Sequence, residues 1–281
     1  MKPQKIVLIT FWYGPFPWYF QYFVHSCGFN LSISFIIVTD NDKPYYDIPN
    51  NVTFVCRTIE EIKTIASQKM GFQVSIDYAY KLCDFKPTYG LLFPELIAGY
   101  DFWGYSDIDI ILGNIRGFIT DEMLQEYDFI SVRHDYTTGC FALYRNNEIM
   151  NLFFKRSKDY KLVFSSSQHF CFDECNFAWD ALDEGKSILD INTEIESMTE
   201  LIKKAQVSNE INPHFDFLLV EGLPGKVMFD NGKIIYKNQF EGIMYHLVRF
   251  KRIYKPSKKS KTIPDRYYIS PTRIYHNRKS K

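Results

Sequence analysis

Short apolar runs alternate with stretches of helical periodicity through the first 150 residues. This alternation constrains the fold more than any other feature of the chain. The runs Lys5–Thr10, Ile33–Thr39, Val52–Cys56, Phe102–Ser106, Phe129–Arg133 and Cys140–Tyr144 read as strands. Between them, Trp18–Cys27, Ile59–Met70, Ser75–Cys83 and Tyr89–Ile97 read as helices. Such a βαβ order predicts an α/β layer built on a mixed, mostly parallel, Rossmann-like sheet flanked by helices. Further helices are expected over Asn146–Ser157, Asp173–Glu184 and Thr193–Ala205. Asn231-Gly232 between two apolar runs marks a hairpin across Lys226–Lys237.

Composition narrows the class. Of the 281 residues, 46% are apolar and 23% charged, which excludes a disordered or fibrous chain. The 17% aromatic content points to a bulky core and to surfaces able to stack on rings. No stretch approaches the ~20 apolar residues of a bilayer span. The opening apolar run is too short for a signal-peptide core, and no small-residue cleavage site follows it. Six scattered cysteines suit a reducing cytoplasm better than a disulfide framework. His169, Cys171 and Cys175 lack a second ligand pair at finger-like spacing, so zinc is not expected.

The net charge of zero hides two opposite regions. Residues 249–281 carry 12 basic side chains and one acid, Asp265, a net of +11; the preceding 248 carry 21 basic and 32 acidic, a net of −11. An acidic body with a basic end is the result, and the composition break near Arg249 is the clearest in the chain.

The most informative segment is Tyr100-Asp101-Phe102-Trp103-Gly104-Tyr105-Ser106-Asp107-Ile108-Asp109, followed by Ile110-Ile111-Leu112-Gly113. Carboxylates at i and i+2 of an extended chain share one face. At the carboxyl end of a strand they stand where open α/β sheets bind ligands. Two adjacent carboxylates favour a cation between them, and oxygen ligands select Mg²⁺ or Mn²⁺, which take remaining ligands from phosphates. A plain strand exit capped by aspartates is the structural alternative.

Tyr105-Ser106-Asp107-Ile108-Asp109 with Leu112-Gly113-Asn114-Ile115 resembles the Asp-x-Asp motif of GT-A-fold, nucleotide-sugar-dependent glycosyltransferases. The likeness is to those of bacterial polysaccharide biosynthesis, and distantly to glycosyltransferase family 8. It covers roughly residues 5–252, and implies a GT-A-like single domain over 1–252 with a basic, aromatic tail over 253–281. It further implies transfer of a hexose from a nucleotide diphosphate sugar, UDP-linked, to a hydroxyl of a glycan or lipid-linked glycan, with Mn²⁺ or Mg²⁺ as cofactor.

Residue by residue, the resemblance implies donor binding by Thr10, Trp12, Tyr13 and Gly14 after the first strand, and by Asp40 after the second. Asp84 and Lys86, in Lys81–Pro87, match the donor-contacting segment. Asp107 and Asp109 match the metal motif, which His246 would complete. Arg249, Lys251 and Arg252 would hold the diphosphate. Thr138 and Gly139 fall on the acceptor side, and Asp173 and Glu174 beside the reacting carbon as the catalytic carboxylates, a general base on the acceptor hydroxyl if the reaction inverts and an orienting group for the donor if it retains configuration. Phe172-Asp173-Glu174 stands where family 8 has Asp-Gln-Asp, which leaves the stereochemical outcome open. His246 also reads as a core histidine, Asp84 and Lys86 as a helix-end pair, Trp12 and Tyr13 as core. Asp173 and Glu174 also read as first-turn helix residues.

The tail, with Tyr254, Tyr267, Tyr268, Ile269 and Tyr275 among its lysines and arginines, suits either a solvated end or an anionic membrane surface. The expected location is the cytoplasm, with peripheral attachment to the inner membrane face. Nucleic acid is not an expected partner, because the acidic body repels phosphates. A sugar-1-phosphate nucleotidyltransferase would need a basic, glycine-rich loop after the first strand, and Phe11–Pro17 holds no basic residue. A catalytically inactive glycan- or membrane-binding module is the remaining alternative.

Overall fold

The computed structural model describes residues 3–256 and 262–276. A central sheet contains β1 (Ile6–Phe11), β2 (Ile33–Thr39), β3 (Val52–Cys56), β4 (Phe102–Ser106), β6 (Phe129–Ser131), β7 (Phe141–Arg145) and β8 (Pro213–Phe215). Their spatial order is β3-β2-β1-β4-β7-β6-β8. The first four are parallel. Only β7 of the seven runs the other way, antiparallel to both β4 and β6, while β8 is parallel to β6. The mixed, mostly parallel sheet expected from the βαβ alternation is therefore present.

Alternation along β1 explains the layering. Ile6 and Leu8 enter one core with Phe20, Phe23 and Phe35, while Val7 and Ile9 enter the other with Ile62, Trp103 and Tyr144. Side chains of successive strand residues point to opposite faces, so a continuous apolar run is what a strand covered on both faces requires. The helix Ile59–Met70 packs on the second face, and its start is fixed by a capping box between Thr58 and Glu61.

Two smaller sheets complete the molecule. β5 (Ile110–Leu112), β13 (Met244–His246) and β9 (Leu219–Val220) form one, in the order β5-β13-β9. The other has the order β12-β11-β10-β14-β15, from β10 (Val227–Asp230), β11 (Lys233–Tyr236), β12 (Phe240–Gly242), β14 (Arg266–Ser270) and β15 (Arg273–Tyr275). The expected hairpin is β10–β11, with Asp230 opposite Lys233 and Asn231 and Gly232 both at positive φ, 47° and 83°.

Several elements differ from expectation. Over Ser75–Cys83 there is one 3-10 turn, Ala79–Lys81, and the short helix Leu82–Phe85 starts after it. Tyr89–Ile97 is broken into Tyr89–Leu92 and Pro94–Ile97, since Pro94 has no amide hydrogen to continue the ladder. Asn146–Ser157 contains the helix Glu148–Asn151, capped by Asn147, and the 3-10 turn Phe153–Arg156. Thr193–Ala205 becomes Met198–Val207, capped by Ser197. The helix expected over Asp173–Glu184 is only Trp179–Asp183, because Asn176 and Phe177 lie in the left-handed region.

The basic end also departs from a solvated tail. β14 and β15 belong to the second sheet, and Tyr267 and Ile269 are buried in the first core. The runs Lys258-Lys259-Ser260-Lys261 and Asn277–Lys281 lie outside the described residues.

Candidate active site

A cleft of about 920 Å³ opens at the carboxyl ends of β1 and β4, where an open α/β sheet leaves room for a ligand. β4 runs into Asp107, whose amide still donates to the Cys140 carbonyl at 3.0 Å, and the chain continues through Asp109 into β5. β13 lies antiparallel to β5 with His246 opposite Ile110. The Leu247 amide donates to the Asp109 carbonyl at 2.8 Å. This pairing delivers His246 to the carboxylates. Ligand atoms of Asp107, Asp109 and His246 all lie within 4.8 Å of one another.

Basic groups surround this cluster. Lys86 Nζ donates to Asp107 Oδ1 at 2.8 Å and to the Gly139 carbonyl at 2.6 Å, and stands 3.5 Å from Asp173 Oδ2. Lys251 Nζ donates to Asp109 Oδ2 at 2.5 Å. His246 Nε2 lies 3.6 Å from Asp109 Oδ2 while its Nδ1 lies 3.0 Å from Glu221 Oε1. Burial alone would raise the Asp109 carboxyl. Hydrogen bonds and charge from His246 and Lys251 outweigh it and hold the group well below the ordinary range. Burial likewise opposes a charge on His246, but Cys140, Asp109 and Glu221 together raise it.

On the other side of Lys86, Gly139 lets two carboxylates come close: a methyl there would stand 2.7 Å from Glu174 Oε1 and 2.9 Å from Asp173 Oδ2. Glu174 Oε1 accepts from the Gly139 amide at 2.7 Å and Oε2 from the Trp179 indole at 2.9 Å. Asp173 is 2% exposed, and burial pushes its carboxyl up.

Of the residues singled out in the sequence, Trp12, Tyr13, Lys86, Asp107, Asp109, Gly139, Asp173, Glu174, His246, Arg249, Lys251 and Arg252 line the cleft. Thr10, Gly14, Asp40, Asp84 and Thr138 do not. Thr10 is buried behind the cleft wall, its hydroxyl donating to the Ser106 carbonyl at 2.7 Å. The Gly14 carbonyl accepts from the Trp12 indole and the Asn41 amide. Asp40 is exposed at the end of β2. Thr138 is buried and donates to the Phe141 carbonyl.

Asp84 is an internal strut. Its carboxylate accepts from the Phe170 and Phe172 amides at 3.0 and 2.8 Å and from Lys81 Nζ at 2.9 Å. Lys81, fully buried, gives its other two hydrogens to the Val163 and Gln168 carbonyls. This knot carries the chain toward Asp173. Sequence reasoning passed over Glu221, Arg133, Tyr136 and Trp179, which also line the cleft. Glu221 comes from an irregular stretch after β9 and offers no spacing signal.

Family comparison matches residues 8–278 to a family of unknown function, DUF6625. No curated protein matches the chain. Among solved structures, a galactosyltransferase, LgtC, in complex with donor and acceptor sugar analogues, aligns at 14% identity and a TM-score of 0.36, over 57% of this chain and 66% of that one. The glycosyltransferase GlyE of Streptococcus pneumoniae TIGR4 aligns at 10% identity and a TM-score of 0.30, over 76% of this chain and 45% of that one. The chain thus spans just under two thirds of the first and under half of the second. At these scores the function has to be read from the cleft itself.

Proposed function

The chain belongs to DUF6625, a family of unknown function, and we propose that it is a metal-dependent glycosyltransferase with a GT-A-like fold. It would move a hexose from a nucleotide diphosphate sugar, UDP-linked, to a hydroxyl of a bacterial surface-glycan intermediate. One observation carries this reading: the neighbouring Asp107 and Asp109 meet His246, which is far along the chain, in one cleft that basic side chains and a second pair of carboxylates also line.

The donor set fits Mn²⁺ or Mg²⁺. Two carboxylates and one imidazole converge, and Glu221 accepting from Nδ1–H would turn the Nε2 lone pair toward the aspartates. Bound there, the ion supplies Lewis acidity toward a leaving diphosphate. The chain's own residues supply the rest. Lys251 and the exposed Arg249 and Arg252 line the same cleft and can meet diphosphate oxygens. Trp12 and Tyr13 line the cleft as well and offer half-buried rings to a base. Glu174 has both oxygens held by N–H donors and Asp173 is buried, which supports positioning of the sugar over free proton abstraction.

Binding of UDP, titrated by calorimetry with and without Mn²⁺, tests this reading. The parent should bind UDP much more tightly with Mn²⁺, and Asp109→Ala should lose that gain; equal binding by the two proteins would sink the metal assignment.

A second reading rests on one feature. Lys86 and Lys251 already neutralise Asp107 and Asp109. A binding module that works without metal would show the same UDP affinity whether or not Mn²⁺ is present. The basic end remains proposed to meet an anionic membrane surface, which would place the enzyme beside a lipid-linked acceptor. No helix among the described residues is long and apolar enough to cross a membrane.

A further inference from the structure

The loop that carries Asp173 and Glu174 is the most conformationally unusual segment of the cleft. Cys171, Asn176 and Phe177 all have positive φ, 53°, 50° and 62°. For a phenylalanine this is a genuine outlier, and such conformations persist only where the surroundings over-determine them. Here they do. Asn176 Nδ2 donates to the Phe170 carbonyl at 2.8 Å, and its Oδ1 accepts from the Glu194 amide at 2.8 Å. The Thr137 and Thr199 hydroxyls hold the Asp173 and Glu174 carbonyls.

The loop is fixed from within and buries Phe172, yet it leaves its second phenylalanine outside. Phe177 is 47% exposed. It stands edge-on between His169 and Trp179, with ring centroids 5.7 and 5.5 Å away, and His169 is 4.8 Å from Tyr80, itself 65% exposed. Tyr80, His169, Phe177 and Trp179 thus form an unbroken aromatic strip, and all but Phe177 line the cleft. Core packing accounts for Trp179, which packs against Tyr136, Cys175, Leu182 and Ile188, and His169 faces Asp84 at 3.2 Å, but neither explains the exposed rings of Phe177 and Tyr80.

Carboxylates edge this strip. Glu174 is held by Trp179, and Asp183 lies at the same end of the cleft. The basic group there, Arg133, is taken up by Asp135, Asp183 and Glu221 at 2.8, 3.2 and 3.1 Å. Apolar ring faces beside hydrogen-bond acceptors, with the local cation already neutralised, match a pyranose: its C–H face stacks, its hydroxyls donate, and it brings no negative charge. We propose that the Tyr80–His169–Phe177–Trp179 strip is a subsite for an uncharged hexose of the acceptor glycan, and that it discriminates against uronic acids. This identifies the acceptor class of the transferase reading, and rests on that reading only for the word acceptor.

The test is binding of the full-length chain, without any donor, to immobilised glycans ending in neutral hexoses or in uronic acids. Neutral ends should be bound. Phe177→Ala should weaken that binding at least tenfold with an unchanged melting temperature, Phe177→Trp should restore it, and Tyr80→Ala should weaken it by a smaller factor. The subsite is overturned by Phe177→Ala binding like the parent, by a preference for uronic ends, or by no retention of neutral glycans. Failure of UDP to bind in the separate Mn²⁺ titration would remove the transferase reading and leave the sugar subsite standing.

Discussion

His246 reaches the acidic pair with one ring nitrogen already engaged. Glu221 at 3.0 Å from Nδ1 leaves the Nε2 edge of the ring facing Asp109. Groups that orient a metal-binding imidazole in this way typically contribute about 10–100-fold to metal affinity. Glu221→Ala is therefore expected to weaken Mn²⁺ binding by about that factor, read by paramagnetic resonance of free Mn²⁺, with helix content unchanged; an unaltered affinity would show that the ring is oriented by other contacts. Gly139 makes a complementary case. Gly139→Ala pushes a methyl against Glu174 and Asp173, which hydrogen bonds and burial leave little room to retreat. Sugar turnover should fall by about tenfold or more, and UDP–Mn²⁺ binding should fall less, because the clash meets Glu174 and Asp173 directly and reaches Asp107 only through Lys86. Equal losses in both would mean that the clash spreads through the cleft. Asp107 and Asp109 could be singled out in the sequence because their spacing and apolar flanks are local, although the chain bends at Ile108 and Asp109 between β4 and β5 and does not run extended through them. Glu221 could not, because its role exists only once β13 is paired with β5.

Elements show the same division between local and distant causes. The inner strands of the central sheet were readable because a strand covered on both faces is apolar along its length, while Val52–Cys56, an edge strand with only Val52 buried, was readable from its β-branched and aromatic residues; Ile33–Thr39, Val52–Cys56 and Phe102–Ser106 agree residue for residue. The short strands β5, β8, β9 and β13 carry too few residues to show a period, and tertiary pairing alone makes them strands. The helix expected from Asp173 failed for a sharper reason. The Asp173 and Glu174 carbonyls are taken by the Thr137 and Thr199 hydroxyls, and Asn176, held by the Glu194 amide, lies with Phe177 in the left-handed region, none of which a local pattern announces. Asp84 anchors the start of that loop, and its energetics are testable by pH. Burial raises its carboxyl, but His169, Lys81 and the Phe172 amide outweigh this and hold it below the ordinary aspartate value. The folded state then binds this proton less tightly than the unfolded state. The stabilisation is complete above about pH 4 and lost as the pH falls further. Asp84→Asn should cost on the order of 3 kcal/mol at neutral pH, since it leaves Lys81 buried without its partner. The gap between parent and variant in urea melts should narrow below about pH 4; a gap independent of pH would mean that the carboxylate's charge is immaterial.

At the scale of the whole molecule, the zero net charge separates into an acidic body and a basic end, but the end is not a detached tail. Tyr267 is fully buried, stacked on Phe229 at 4.9 Å and edge-on to Tyr22 at 5.3 Å, and β14 occupies an interior position of the second sheet. Tyr267→Ala should therefore destabilise the whole fold by about 3–5 kcal/mol, the range for a large ring removed from a core. This changes how the proposed membrane contact has to be tested. Truncation after Tyr254 would remove β14 and β15 together with the charge, and any loss of vesicle binding could then be unfolding. Arg266 is also a poor target, because it is paired with Asp230. Replacing Lys258, Lys259 and Lys261 by serine removes three charges and leaves both strands in place. At about 1 kcal/mol per basic residue near an anionic surface, sedimentation with phosphatidylserine vesicles should weaken by about a hundredfold, and moderate salt should weaken the parent too. Equal sedimentation of parent and triple variant, with equal melting temperatures, would assign the positive end to solubility and leave the acceptor to reach the cleft from solution.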